Sequence, residues 1–486
     1  MLSLRRTLTR TFACTSFALA LSFGAVPVAG AATGDYMLVD SARLASLPTS
    51  GTAYACMKKT ADNAIASASL STPTSTSPWL PNYSGQGAET LAAALVYART
   101  GDTRYRDFVI KVNRFVIGSE DSSSTNGTSS DDRLLATMRQ ISAYVMAADL
   151  VGMDRNVKGS RSGQTSKVWQ SWLAALRTKT IGTSSNKTSI VVVNNHSTNW
   201  GAWASASRIA IDVYLNDAID LALAVNRLKL YLGDATSLTA SLTPWVKSSS
   251  FDPSWACIPA GLSVAFIAVN PSSCGPDKDG IIVEDASRSA YAFPTWDNPG
   301  IDYSFHAYAA QLVAALLLDR KGYDVWNWGD RALKRIMDRL DRLGVATGNG
   351  RNFATHVSWI PRHFYSVDYP KLPAQAGDTL GYTDWLFGPA RIKAERVTRD
   401  HRTGNAALVV RVPGPGRLEL SGQGLIKVVQ TSLRPGHLKL RVTPTPKTGM
   451  RLAASGRVKV RAKPRFHPSL GRTQTDAKTF NLLKDR

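Results

Sequence analysis

The feature that most restricts this chain is a change of hydrophobic period near residue 391. From Ser41 to Gly388 apolar residues recur every three or four positions, the spacing of one helical face, and short Gly/Asp turns separate the runs. "AETLAAALVYARTGDTRYRDFVIKVNRFVIG" reads as two antiparallel helices joined at Gly101-Asp102, where the glycine stops one helix and the aspartate caps the next. "DDRLLATMRQISAYVMAADLVGM", "KVWQSWLAALRTKTIG", "WGAWASASRIAIDVYLND", "YSFHAYAAQLVAALLLDRKG" and "WGDRALKRIMDRLDRLG" continue the scheme. Serial helix hairpins without a fixed-length repeat predict an incomplete (α/α) toroid rather than a solenoid. Beyond Arg391 the pattern becomes alternating, as in "AALVVRVPGPGRLELSGQGLIKVV", with Pro/Gly turns between short runs. That pattern predicts a small β-sandwich-like domain. The expected fold is therefore mainly α, with a toroid over 32–390 and an all-β module over 391–486.

Residues 1–31 stand outside this scheme. Arg5, Arg6 and Arg10 precede the apolar run "ACTSFALALSFGAVPV", and "AGAA" closes it with small residues. This is the layout of a signal peptide, so a secreted protein is expected, associated with the cell envelope or free of it. No later run reads as a membrane span. Export permits disulfides, and Cys257 and Cys274, bracketing a loop-like stretch, are the candidate pair. Cys56 reads as a small buried hydrophobe. No His/Cys spacing fits zinc, and neither a metal nor another cofactor is expected.

The formal net charge of +22 is uneven. From Arg391 onward there are 22 Lys+Arg against 5 Asp+Glu, whereas 32–390 is close to neutral. For an exported chain a nucleic-acid partner is not expected. An anionic glycan or the acidic cell envelope fits the basic module better, through long-range attraction. Outward Arg and Lys also protect sheet edges, and that bland reading stands beside adhesion.

The helical region holds four histidines, His196, His306, His356 and His363, each beside aromatic or amide residues. They are either satisfied core residues or members of a shared cleft. The densest setting is "VVVNNHSTNWGAW", from Val191 to Trp203, at the mouth of a helix. Asn194, Asn195 or Ser197 could cap that helix, but one cap does not account for two amides, an imidazole and a tryptophan in succession.

"NNHSTNW" resembles the Asn-Asn-His-x-x-Trp signature of the alginate-lyase-type α/α-toroid polysaccharide lyases. "ALVYARTGDTRYRD" and "RQISAYVMAADLV" resemble the early helices of that family, and "DGIIVEDASRS" its Asp-Gly…Glu…Arg segment. "DYSFHAYAAQLVAAL" is similar to the helix bearing its catalytic tyrosine. The resemblance spans roughly Ser41 to Gly388. It implies cleavage of a uronate polymer by β-elimination, without a metal. Asn195, helped by Arg288, would neutralise the uronate carboxylate, and His196 would stabilise the same charge or act as base. The family's usual tyrosine directly precedes a histidine, and Phe305 holds that place before His306. Tyr303, in a Tyr-Ser pairing that related branches also show, is the expected acid, with Tyr308 as the alternative. An added segment, "AYAFPTWDNPGID", separates Arg288 from Tyr303.

Further substrate-contact candidates are Asn194, Trp200, Tyr83, Gln86, Arg139, Gln140, His306, Arg362 and His363, with Trp79, Trp296 and Trp359 as other rings able to face sugars. Two other functions remain open. A glycoside hydrolase needs two carboxylates flanking the bond, and Glu284 and Asp285 are adjacent and diverge. A decayed, glycan-binding toroid is the third reading.

Overall fold

The computed structural model describes residues 36–67, 86–121, 133–153, 162–182, 187–234, 243–259, 263–288, 293–296, 298–347, 357–365, 367, 369, 380–388, 392–412, 416–432, 436–468 and 473–485. The expectations for the leader 1–31, Trp79, Tyr83 and His356 lie outside these residues.

Helical structure dominates up to Leu386. The helices are α1 (Ser41–Ser46), α2 (Thr52–Ser67), α3 (Gln86–Thr100), α4 (Thr103–Val116), α5 (Arg133–Leu150), α6 (Ser162–Leu176) and α7 (Ile190–Val193). They continue with α8 (Asn199–Leu215), α9 (Ala218–Tyr231), α10 (Val283–Ser287), α11 (Asn298–Arg320), α12 (Trp328–Thr347), α13 (Trp359–Tyr365) and α14 (Thr383–Leu386). The α3–α4 turn forms as its residues predict: Asp102 is the N-cap of α4 and accepts from Arg104 N at 3.1 Å.

The helices sort by composition into two roles. α3, α5, α8 and α11 are apolar or small almost all round, are buried along most of their length, and pack in the order α3–α5–α8–α11. α4 packs on α3, α9 on α8 and α12 on α11; α4 shows the one-sided apolar stripe of a helix that keeps a face in water. Within α11 the stretch Gly300–Arg320 is long and apolar enough by composition to cross a membrane, which corrects the expectation that no such run follows the leader. Of its most apolar 18-residue window, 83% is buried against other helices.

Between α9 and α11 the chain forms a satellite unit around Trp255, Ile267, Ile281, Val283 and Ala286. Cys257 and Cys274 are bridged there, as their flanking of a loop predicts. Asn270 ties the loop together by donating to Trp255 O (2.8 Å) and Lys278 O (3.0 Å) and accepting from Cys257 N (2.9 Å). Phe293 and Trp296, from the added segment, meet Trp255 edge to face with ring centroids 5.3 and 4.9 Å apart. Cys56 is half-buried rather than a core residue.

From Lys393 the chain is antiparallel sheet. Strands β1 (Lys393–Asp400), β2 (Asn405–Val412) and β5 (Gly436–Val442) form one sheet in the order β1-β2-β5. β4 (Val428–Ser432), β3 (Gly416–Ser421), β6 (Arg457–Pro468) and β7 (Gln474–Thr475) form the other, and β8 (Lys478–Leu483) also pairs with β6. Their inward residues, among them Leu408, Val410, Leu418, Val460 and Phe466, make one apolar cluster that also holds Leu452 of helix α15 (Pro446–Ser455). The region meets the N-terminal segment through Arg411, which donates to Ser46 O at 2.9 Å, and Arg43 donates to Leu386 O at 2.8 Å just before the junction.

Candidate functional site

The motif "NNHSTNW" runs from the end of α7 into the first turn of α8 and is held from two sides. On one side Arg208 donates to Asn194 Oδ1 (3.2 Å) while gripping both carboxylate oxygens of Asp220 at 2.9 and 2.6 Å. Arg177 joins the same cluster through Asp212, Asp217 and Asp220. Burial and the neighbouring Asp220 push the Asp212 carboxyl up to about 8. Arg227 donates to Asn195 O (3.1 Å) and Thr243 O (2.6 Å), and its guanidinium lies 3.6 Å over the Trp245 ring. Val246 N donates to Asn195 O at 2.9 Å, laying an extended segment beside His196.

On the other side stand Glu284 and Asp285 of α10, both fully buried. Ser197 Oγ donates to Glu284, which also accepts from Ser248 N at 2.5 Å. Asn199 Nδ2 donates to Asp285 Oδ1 at 3.0 Å. Asp285 thus stands at the α8 N-terminus, where the helix dipole favours negative charge. Capping by Asn194, Asn195 or Ser197 is corrected by this arrangement. The N-cap is Thr198, it makes no side-chain cap bond, and the anchoring carboxylate comes from a segment more than eighty residues away. Gly201 makes the approach feasible, since a Cβ there would lie 1.9 Å from His196 O.

With its other members engaged, the motif leaves Asn195, His196 and Trp200 half-exposed. Burial lowers the His196 pKa; Arg227 lowers it further and Glu284 opposes. The imidazole is therefore neutral near neutral pH and able to accept a proton. Lys247 follows Val246, whose backbone bridges to His196, and its Nζ lies 4.0 Å from the Glu284 carboxylate while donating to Ile267 O at 2.8 Å. Burial pushes the Lys247 pKa down to about 8.

Arg288 and Tyr303 come together although fourteen residues and the added segment separate them: the guanidinium lies 4.3 Å over the Tyr303 ring. Arg288 Nη1 is 3.8 Å from Asp285 Oδ1, is buried, and has no hydrogen-bond partner among the described residues. Asp285 Oδ2 is likewise unsatisfied. Burial raises the Asp285 carboxyl to about 7, against the pull of Arg288 and Asn199. A buried guanidinium nitrogen without a hydrogen-bond acceptor is costly.

The remaining candidates divide. Tyr308 is a core residue whose hydroxyl donates to Leu333 O at 2.9 Å, so the alternative acid is corrected. Gln140 is fully buried and accepts from Gly87 N at 2.8 Å, clamping α3 to α5 rather than facing a cleft. Asn194 is a support for the motif, buried by Arg208. Gln86 and Arg139 are half-buried on α3 and α5, and His306 is half-buried one turn after Tyr303. Arg362 donates to Tyr369 O at 2.5 Å; His363 stands against Phe364 and Phe387, and burial with the nearby Arg43 charge pushes its pKa down to about 3. These partners lie outside the motif. Trp359 is buried, and Trp296 serves the satellite unit.

Sequence reading missed the anchoring role of Glu284 and Asp285, which it took as part of an Asp-Gly…Glu…Arg resemblance and as ill-placed hydrolytic carboxylates, and it missed Lys247, Arg208 and Arg227. Only the acidic pair carried a signal, two adjacent carboxylates at a helix start inside an apolar segment. No protein-family model matches the chain, and no curated protein matches it significantly.

Proposed function

We propose that the helical region is an exported polysaccharide lyase with an incomplete (α/α) toroid fold, acting on uronate polymers of the alginate or glucuronan type. The observation that carries the reading is the buried, unsatisfied Arg288 Nη1 beside Tyr303, joined to the motif through Asp285 and Asn199. In this reaction the C5 proton is removed, the electron pair is delocalised into the adjacent carboxylate, and the 4-O bond breaks as the leaving oxygen takes a proton. Arg288 and Asn195 hold the carboxylate and offset its growing charge. Neutral His196 stabilises the enediolate or takes the proton, and Tyr303 supplies one to the leaving oxygen. The inner row α3–α5–α8–α11 with outer helices is the layering a toroid needs. Full burial of Glu284 and Asp285 favours elimination over hydrolysis, because neither carboxylate faces a glycosidic bond.

A panel of polyuronates incubated with wild type and with His196→Ala tests the reading. Rising ultraviolet absorbance from a conjugated unsaturated uronate, absent in the variant, is the expected result. New reducing ends without that absorbance would identify a hydrolase, and binding without turnover a glycan-binding protein.

A further inference from the structure

Strand β6 carries Arg457, Lys459, Arg461, Lys463 and Arg465 at every second position, all exposed, while the alternate residues from Val458 to Phe466 point inward. Successive cations on one face of a strand stand about 7 Å apart, so the five span about 27 Å. That spacing lies within the screening length of physiological salt, about 8 Å, and the ladder therefore repels itself. Arg399 of β1 extends it, donating to Asn481 O at 2.9 Å, and Asn481 is the register partner of Lys459.

Elsewhere the chain neutralises such charges. Arg177 meets three aspartates, and on the other sheet Glu395 takes both Arg411 (3.3 Å) and His437 (3.1 Å). Beside the ladder the acid in register is Glu419, opposite Arg465, and it is already engaged by Lys427 (2.9 Å) and Arg417 (3.5 Å). Among the described residues no ion pair reaches the five cations of β6. Besides Glu419, their cross-strand neighbours on the same face are Ser421, Thr475, Thr479 and Asn481, all neutral, and the half-buried Leu483 opposite Arg457, which leaves a linear positive strip.

We propose that this strip is a binding track for an extended polyuronate chain, separate from the site in the helical region; the choice of polymer rests on the function proposed above. A linear array of cations complements a linear array of carboxylates. The strip and those neighbours offer no aromatic ring on which a base could stack, which disfavours single-stranded nucleic acid. Their one apolar neighbour, Leu483 opposite Arg457, is a single half-buried side chain, too little to anchor a lipid surface.

The test is retention of the full chain on immobilised alginate and polyglucuronate over a salt gradient, with Lys459→Gln/Arg461→Gln/Lys463→Gln beside wild type. The triple variant should bind at least about tenfold more weakly with a shallower salt dependence, as expected when cation contacts are removed. It should keep its melting temperature and its turnover of short oligouronates. Lys459→Arg/Lys463→Arg should bind like wild type. Unchanged retention of the triple variant overturns the proposal, as does tighter binding of wild type to duplex DNA or to anionic phospholipid vesicles. If wild type turns over no oligouronate yet the triple variant loses retention, the track stands and the lyase reading falls.

Discussion

At the scale of single residues, the division of labour inside "NNHSTNW" follows from which side chains are already engaged. Asn194, Ser197 and Asn199 each bond a buried charged partner, so the half-exposed Asn195 and His196 are left to meet a substrate. His196→Ala and Tyr303→Phe should each lower turnover by roughly a thousandfold, within the span typical of proton-transfer groups, with melting temperatures unchanged. Steady-state kinetics on the best polyuronate checks this, and a fully active Tyr303→Phe enzyme would remove tyrosine from the mechanism. Ser197→Ala should behave differently. It strips a partner from buried Glu284 and should cost about 1–3 kcal/mol of stability, read by denaturant unfolding. The motif was legible in the sequence because its polar density exceeds what capping needs. Its arginine supports were not, because Arg208 and Arg227 carry no local pattern that distinguishes them from surface charges.

At the scale of elements, the site depends on α10 being bonded to the start of α8 through Glu284 and Asp285. The satellite unit holds α10 through Val283 and Ala286, and its Cys257–Cys274 bridge closes a ring of about the size for which a disulfide contributes about 3 kcal/mol. Cys257→Ser/Cys274→Ser should lower stability by about that amount and reduce turnover more than substrate affinity, because α10 carries Asp285 and leads directly into Arg288. A Cys-free variant with wild-type kinetics would detach the satellite from function. Gly201→Ala should be severe, since its Cβ would lie 1.9 Å from His196 O and only backbone could move aside. Loss of both folding yield and activity, in a variant whose composition barely changes, is the expected reading. Helix and turn positions were visible beforehand, as at Gly101-Asp102, whereas the bonds from α10 to the start of α8 join segments more than eighty residues apart and leave no periodic trace.

At the scale of the whole molecule, buried carboxyls shape the pH response. Asp285 and Asp212 hold protons in the folded state up to about 7 and about 8, well above an unfolded aspartate. Between the unfolded and folded values only the native state keeps the proton, so stability declines as pH rises through that window. Lys247 above about 8, and His363 between about 3 and the ordinary histidine value of 6.5, act in the opposite sense, because there the unfolded state holds the extra proton. The melting temperature should therefore fall most clearly from about pH 6.5 to about pH 8, and Asp285→Asn should flatten that fall. A melting curve rising across the same range would contradict the burial of these groups in their ionisable form.

Sequence alone determined the helical region, its boundary near residue 391, the alternating strands beyond it and the cysteine pair. Each of these rests on local spacing, and spacing survives in one dimension. Tertiary structure alone decided that Arg288 reaches Tyr303 across the added segment, that Tyr308 and Gln140 belong to the core, and that two adjacent acids anchor the motif. Those outcomes depend on which buried polar groups find partners, and a partner distant in sequence is specified by packing rather than by any local pattern.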